Sequence, residues 1–155
     1  MKIVLDKGAI MPTRAHPYDA GLDLCTPKSC TVKGTRLLKT MAILGESCVR
    51  QVMVGCKTID TGVHVEIPEG SVGLIKSKSG LNVNQGLTAE GVIDAHYTGS
   101  IKVKLYNHTA TSYSFRPGDK IAQLVIVPCL LPDLELVDSL EETDRGDNGF
   151  GSTGK

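Results

Sequence analysis

Several short stretches of this sequence set charged or hydroxyl side chains beside glycines, a grouping suited to holding an anion. In Lys76-Ser77-Lys78-Ser79-Gly80 two ammonium groups and two hydroxyls precede a glycine. The stretch resembles an anion-binding turn, and taken alone it fits an exposed, solvated loop better. Asp19-Ala20-Gly21-Leu22-Asp23-Leu24 carries two carboxylates, able to hold a metal or to cap a turn. Ile93-Asp94-Ala95-His96-Tyr97-Thr98-Gly99 puts a carboxylate and a phenol between apolar segments. An Asp in that setting commonly forms a hairpin turn, and a lone Tyr commonly packs. Gly149 to Gly154 matches the spacing GxGxxG, but a dinucleotide fingerprint needs a strand before it, a helix after it and an acid about twenty residues on. One residue follows Gly154, so no dinucleotide site is expected. The glycines still let backbone N–H groups converge on an anion, with Ser152 and Thr153 adding hydroxyl donors. The histidines at 16, 64, 96 and 108 have no zinc-site spacing and read as surface or internally satisfied side chains.

The elements that must position these residues are strands. Val63-His64-Val65-Glu66-Ile67 alternates strictly and stops at the turn cluster Pro68-Glu69-Gly70. Ile101-Lys102-Val103-Lys104-Leu105 alternates again, with lysines on the opposite face. Ile121 to Val127 is a denser apolar run between Pro117-Gly118-Asp119 and Pro128, which predicts a core strand. Short strands separated by Gly/Pro turns predict an all-β sandwich, jelly roll or barrel. Between Leu37 and Cys56 two patterns compete: a hairpin around Gly45-Glu46-Ser47, or a short helix with Cys48, Val49, Val52, Met53 and Cys56 on one face. From Asp138 onward the apolar pattern collapses into an acidic, glycine-rich tail with one aromatic residue, Phe150. That composition predicts a flexible arm that only a ligand or partner would order.

Composition narrows the function. The 155 residues suit one domain with one sizeable core. Lys and Arg number 17 and Asp and Glu 17, so the chain is formally neutral and carries no footprint for duplex nucleic acid or an anionic membrane. Aromatic residues make up only 4% and Trp is absent, which argues against base-stacking platforms for single strands. The 17 glycines favour turns and strands over long helices. Five cysteines, with no CxxC, leave at least one unpaired and exclude zinc-ribbon spacing. The N-terminus, Met1-Lys2-Ile3-Val4-Leu5-Asp6, has no secretory apolar region, and no run approaches membrane-spanning length. The expectation is a reduced, soluble, cytoplasmic protein.

Each chemical signal is weak singly, but their order along the chain is specific. Asp19 to Leu24 is followed by Lys78-Ser79-Gly80-Leu81, then Gly91 to Gly99, then Pro117-Gly118-Asp119-Lys120-Ile121-Ala122-Gln123-Leu124, then Arg145 to Gly154. This ordered set resembles the five motifs of the trimeric deoxyuridine triphosphatases, over nearly the whole chain. The third stretch and the Gly-Phe-Gly-Ser-Thr-Gly tail are its most specific parts. Three positions depart from the family pattern. Lys78 stands where the family usually has Arg, keeping the charge without the bidentate fork. His96 and Thr98 replace a more usual Asp and Arg, which removes any ion pair those two supply. Residues 38–56 resemble an insertion.

The resemblance implies a jelly-roll-like β-barrel over residues 1–137 and a flexible C-terminal arm, 138–155, closing over the active site. It implies a homotrimer whose sites are each assembled from three subunits. The implied reaction is hydrolysis of dUTP to dUMP and pyrophosphate with Mg²⁺ on the triphosphate, keeping uracil out of DNA and supplying dUMP for thymidylate synthesis. By the same resemblance Asp94 orients and deprotonates the attacking water. A carboxylate is a weak base at neutral pH, so positioning and charge neutralisation at the α-phosphorus must supply most of the rate. Lys78, Ser79, Gln123, Arg145, Ser152 and Thr153 are implied to contact phosphates, with Gly80, Lys102 and Gly151 also at the substrate. Asp23 is implied to hold the water shell of Mg²⁺. Tyr97 would lie against the deoxyribose and exclude a 2′-hydroxyl. Uracil would be read by backbone in a Gly86–Gly91 hairpin and by Gly91, Val92 and Ile93, under Phe150. Two other readings compete: a deoxycytidine triphosphate deaminase of the same fold, and a catalytically silent dUTP-binding regulator. The deaminases do not use this five-motif set with its closing tail.

Overall fold

The structure, a computed structural model, describes residues 1–43 and 47–147, with the backbone alone over 37–43 and 47–51. The described chain is mostly strand. In order these are β1 (Ile3–Leu5), β2 (Gly21–Cys25), β3 (Cys30–Val32), β4 (Arg36–Ile43), β5 (Ser47–Met53), β6 (Gly55–Asp60), β7 (Val63–Val65) and β8 (Ser71–Lys76). A short helix, α1 (Ser79–Gln85), precedes β9 (Leu87–Ile93), β10 (Lys102–Asn107), β11 (Tyr113–Phe115) and β12 (Lys120–Pro128). Six strands form one curled sheet in the order β2-β12-β8-β9-β10-β6, and the pairs β1-β7, β3-β11 and β4-β5 form separate ribbons. The all-β, jelly-roll-like architecture agrees with the alternation of the sequence.

That alternation works as the period of a pleated strand requires. In β10 Val103 and Leu105 are fully inside while Lys102 and Lys104 stand in solvent. In β7 Val63 and Val65 are buried and His64 points the other way. The core also takes Leu24, Ile75, Leu87, Phe115, Ile121 and Leu124, almost all aliphatic. Each such side chain is worth about 1.5–3 kcal/mol of burial. The curl originates in β9, whose first half (Leu87–Ala89) pairs with β10 and whose second half (Gly91–Ile93) pairs with β8.

Two local expectations change. Gly86–Gly91 is not a hairpin: Gly86 closes α1 in the left-handed region at φ +61° and the chain then runs as one strand to Ile93. The turn comes later, at Asp94–Tyr97, where the Tyr97 N–H donates to the Asp94 carbonyl at 3.2 Å. Between Leu37 and Cys56 the hairpin alternative holds and the helix does not, because Ile43 pairs with Ser47 and Met41 with Val49 in an antiparallel ribbon. Residues 44–46 of its turn lie outside the described residues. Cys56 belongs to β6 and the main sheet. From Cys129 to Asp147 there is no strand or helix, and Leu134 and Leu136 are 97% and 100% exposed. Among the described residues no helix is long and apolar enough to cross a membrane.

Candidate active site

One polar cluster forms where β2, β12 and the end of β8 meet. In β2 Leu24 enters the apolar core, so Asp23 lies on the opposite face of the sheet, where its side chain is nonetheless covered and only 6% exposed. A buried carboxylate needs positive partners. Asp23 has two: the Lys78 ammonium bonds Oδ1 and the Lys120 ammonium lies 2.6 Å from Oδ2. Burial pushes the Asp23 carboxyl up, but the hydrogen bonds and charges of Lys120 and Lys78 outweigh it and hold the group below the usual carboxylate range. Lys120 is in turn pushed up by the Asp23 carboxylate.

Strand register adds Gln123 to the cluster, since it pairs across with Asp23 on one side and Lys76 on the other. Its amide donates to the Ser77 carbonyl at 3.1 Å, and Ser77 Oγ accepts the Ala89 N–H at 2.9 Å. These bonds fix the corner from which Lys78 leads into α1. A Cβ on Gly21 would sit 2.3 Å from Gln123 Oε1, so a larger residue there would push the Gln123 amide out of this position. Ala15, Asp19, Ala20, Gly21, Asp23, Lys78, Gln123 and Val125 line a hollow of about 380 Å³. Ser79 and Gly80, the first residues of α1, are exposed.

A second cluster is the loop from Asp94 to Ser100. β9 delivers Gly91 and Val92 exposed and Ile93 buried, then turns. His96 takes φ +67°, a left-handed conformation costly for a side chain other than Gly or Asn. The Tyr97 hydroxyl donates to the Ser100 carbonyl at 3.1 Å, folding the ring over Gly99, where a Cβ would meet the phenol at 2.4 Å. Ser100 Oγ bonds the Asp60 carboxylate. That hydrogen bond, with one from the Gly62 N–H at 3.1 Å, keeps Asp60 below the usual carboxylate range. Among the described residues the Asp94 carboxylate has no hydrogen-bond or ion-pair partner and is open to a water.

The two clusters do not meet within one chain. In the β8–β9 ladder Lys76 pairs with Glu90 at one end and Gly73 with Ile93 at the other. Three rungs span about 10 Å, and Lys78 and Asp94 continue outward from opposite ends. Tyr97 and His96 line a different hollow, with Met1, Glu66, Pro68 and Glu69. Lys102 starts β10 opposite Asp60, exposed. Arg145 lies exposed beyond β12, beside the turn that Gly146 makes with Thr143. Phe150, Gly151, Ser152 and Thr153 lie outside the described residues. The sequence assigns Lys120 no role and marks His64 only as a surface or internally satisfied side chain. Lys120 sits inside the quoted Pro117–Leu124 stretch, but only the β2–β12 pairing reveals that it faces Asp23.

Comparison with known proteins gives a consistent family. The dUTPase family model matches residues 47–154. The deoxyuridine 5'-triphosphate nucleotidohydrolase of Rhodococcus erythropolis is 41% identical over 97% of this chain and 82% of its own length. The Staphylococcus bacteriophage 80alpha dUTPase, solved with dUPNHPP, superposes with a TM-score of 0.81 at 30% identity, covering 99% of this chain and 98% of that one. A mutant dUTPase of phage phi11 of S. aureus, in which a structural Mg(II) ion is coordinated, superposes with a TM-score of 0.72 at 28% identity over 91% of this chain and 98% of that one. The match of the family model to residues 47–154 and the 41% identity to a relative over 97% of the chain place this chain in the dUTPase family.

Proposed function

We propose that the chain hydrolyses dUTP to dUMP and pyrophosphate in an oligomer, a homotrimer, whose active sites are shared between subunits. The observation that carries the sharing is the separation of the two clusters. Asp94 must act at the α-phosphorus that Lys78 helps to neutralise, yet the two leave the β8–β9 ladder at opposite ends. A second copy brings one chain's loop to another chain's lysine corner. The bare leucines after β12 support the same assembly, since Leu134 and Leu136 have no cover among the described residues.

The chemistry follows from the residues. A water held by the Asp94 carboxylate attacks the α-phosphorus in line. Its proton passes to Asp94, the bond to the bridging oxygen breaks, and pyrophosphate leaves with the electron pair. Lys78, Ser79, Gln123 and Arg145, with Gly151, Ser152 and Thr153 of the arm, meet the phosphate charge. Tyr97, held over Gly99, lies against the deoxyribose. The backbone of Gly91, Val92 and Ile93 faces the base, with Lys102 beside the pocket and Phe150 as its cover.

The described residues do not fit a metal centre built by this chain. They contain no group of three or more His, Cys, Asp or Glu side chains that could hold an ion, and both Asp23 oxygens face lysines. Mg²⁺ therefore enters as part of the substrate, the magnesium complex of dUTP, keeping most of its own waters. Asp23 serves first to fix Lys78 and Lys120 at the phosphate hollow.

The test is product analysis with dUTP and Mg²⁺. Pyrophosphate and dUMP in equal amounts support the reading. Ammonia release, or binding without turnover, would overturn it.

A further inference from the structure

The loop carrying Asp94 and Tyr97 is pinned by two side chains from outside it. Asp60 takes the Ser100 hydroxyl, and His64 takes the carbonyl of Thr98, the residue after Tyr97. The two pins differ in kind. Asp60 is held below the usual carboxylate range and stays ionised at any physiological pH. His64 faces an acceptor at each ring nitrogen: Nδ1 lies 2.8 Å from the Thr98 carbonyl and Nε2 lies 3.3 Å from Asp6 Oδ1. A neutral imidazole carries one N–H and can serve only one of them, whereas the imidazolium donates to the Thr98 carbonyl and sets its positive charge, at Nε2, against the Asp6 carboxylate as an ion pair.

We propose that His64 is a positioning residue whose doubly protonated ring bridges Asp6 and the Thr98 carbonyl, and so clamps Tyr97 in the geometry that selects the sugar. The fold supplies the bridge. β7 buries Val63 and Val65 and leaves His64 on the opposite side, and β1 pairs with β7 so that the chain leaving β1 brings Asp6 to the ring. The loop ends are secured independently: Ile93 pairs with Gly73 at one end, and at the other the Ile101 N–H donates to the Val63 carbonyl at 2.8 Å and Thr61 Oγ1 donates to the Ile101 carbonyl at 2.7 Å. Between them, losing the His64 bond frees a segment already strained at His96. The charges around the ring favour its protonation. Asp6 and Asp60 are anionic, Lys2 and Glu66 on the neighbouring hollow neutralise each other at 3.0 Å, and Lys102 lies beside Asp60. The loop's own titratable side chains are Asp94, His96 and Tyr97.

The direction of the pH effect follows. The Thr98 carbonyl, and then Asp6, push His64 above its ordinary value despite desolvation. The clamp is complete below the ordinary histidine range, about 6.5, and is lost as pH rises through the raised value.

The inference rests on the role given above to Tyr97, so two readouts are needed. The first is the His64 ring followed by NMR in the full-length protein, which does not depend on any activity. Wild type should titrate above an unperturbed histidine, and Asp6→Asn should move the midpoint to lower pH. The second is the ratio of kcat/KM for dUTP to that for UTP between pH 6 and 9, in which phosphate ionisation common to both nucleotides cancels. Wild type should lose roughly three- to tenfold in this ratio across the His64 titration, the worth of one hydrogen bond. His64→Gln still donates to Thr98, so its ratio should be flat with pH and retain part of the selectivity. A ring that titrates at or below the ordinary value, or is indifferent to Asp6→Asn, overturns the bridge. A normal bridge with a flat wild-type ratio overturns the positioning role. Failure to turn over dUTP at all would instead defeat the proposed function, leaving the NMR arm to judge the clamp.

Discussion

Replacing Asp23 with Asn keeps the size of the side chain and removes the charge that both lysines need. The wild-type carboxylate gives one oxygen to Lys78 and the other to Lys120, with its side chain 6% exposed. A hydrogen bond to a charged group is worth about 1.5–3 kcal/mol. Asparagine can still accept from one lysine through its carbonyl, while its NH₂ faces the other, so about one charged bond is lost outright. The two ammonium groups are also left near each other without a counter-charge. The expected loss is about 2–3 kcal/mol, which for a chain of this size corresponds to roughly 5–10 °C in Tm. Its pH dependence identifies the cause. The Asp23 carboxyl is held below its ordinary value in the folded state, so its contribution is present above the unfolded value and lost as pH falls through the folded one. Thermal melts at equal protein concentration should therefore show a large gap between wild type and Asp23→Asn at pH 7. The gap should narrow below about pH 4, near the ordinary carboxylate value. A variant as stable as wild type at pH 7, or a gap unchanged at low pH, would refute the account of the cluster.

Other outcomes follow from the same geometry. Asp94→Asn should lower kcat by about 10²–10⁴-fold while leaving the Kd of a non-hydrolysable dUTP analogue nearly unchanged, measured by calorimetry. Tyr97→Ala should reduce discrimination of dUTP over UTP in kcat/KM; an unchanged ratio would assign the steric role elsewhere. Deleting residues 146–155 removes no periodic apolar residue that a barrel core would require, so Tm and oligomeric state should hold while turnover falls sharply. Phe150→Ala should reproduce part of that fall, since stacking on a base is worth roughly 1–3 kcal/mol.

Where a side-chain pattern has one physical reading, the sequence was enough. Val63–Ile67, Ile101–Leu105 and Ile121–Val127 alternate or run apolar between Gly/Pro turns, and each contains a strand, Val63–Val65, Lys102–Asn107 and Lys120–Pro128, although the last turns Val127 to solvent. The helix Ser79–Gln85 was not legible, because seven residues with none buried carry no amphipathic stripe. Residues 48–56 offered both periods at once, and only pairing with β4 selects the strand. At the site, Asp23, Lys78 and Gln123 could be singled out by type and order, but not their mutual contact, which depends on β12 lying between β2 and β8. Lys120 and His64 were invisible for the same reason. Their partners, Asp23 and Thr98, are far away in sequence, and no local spacing signals them.

The central claim is that a working site combines Asp94 of one subunit with Lys78 of another. It is tested by mixing Asp94→Asn and Lys78→Ala chains in equal amounts under denaturing conditions, refolding them together, and measuring pyrophosphate released from dUTP. Each variant alone should be nearly inactive. If subunits assemble at random and every site spans two of them, about a quarter of the sites join an intact Asp94 to an intact Lys78, and activity should recover to about that fraction of wild type. Mixed oligomers no more active than either parent would contradict the claim, because both residues would then have to act within one chain.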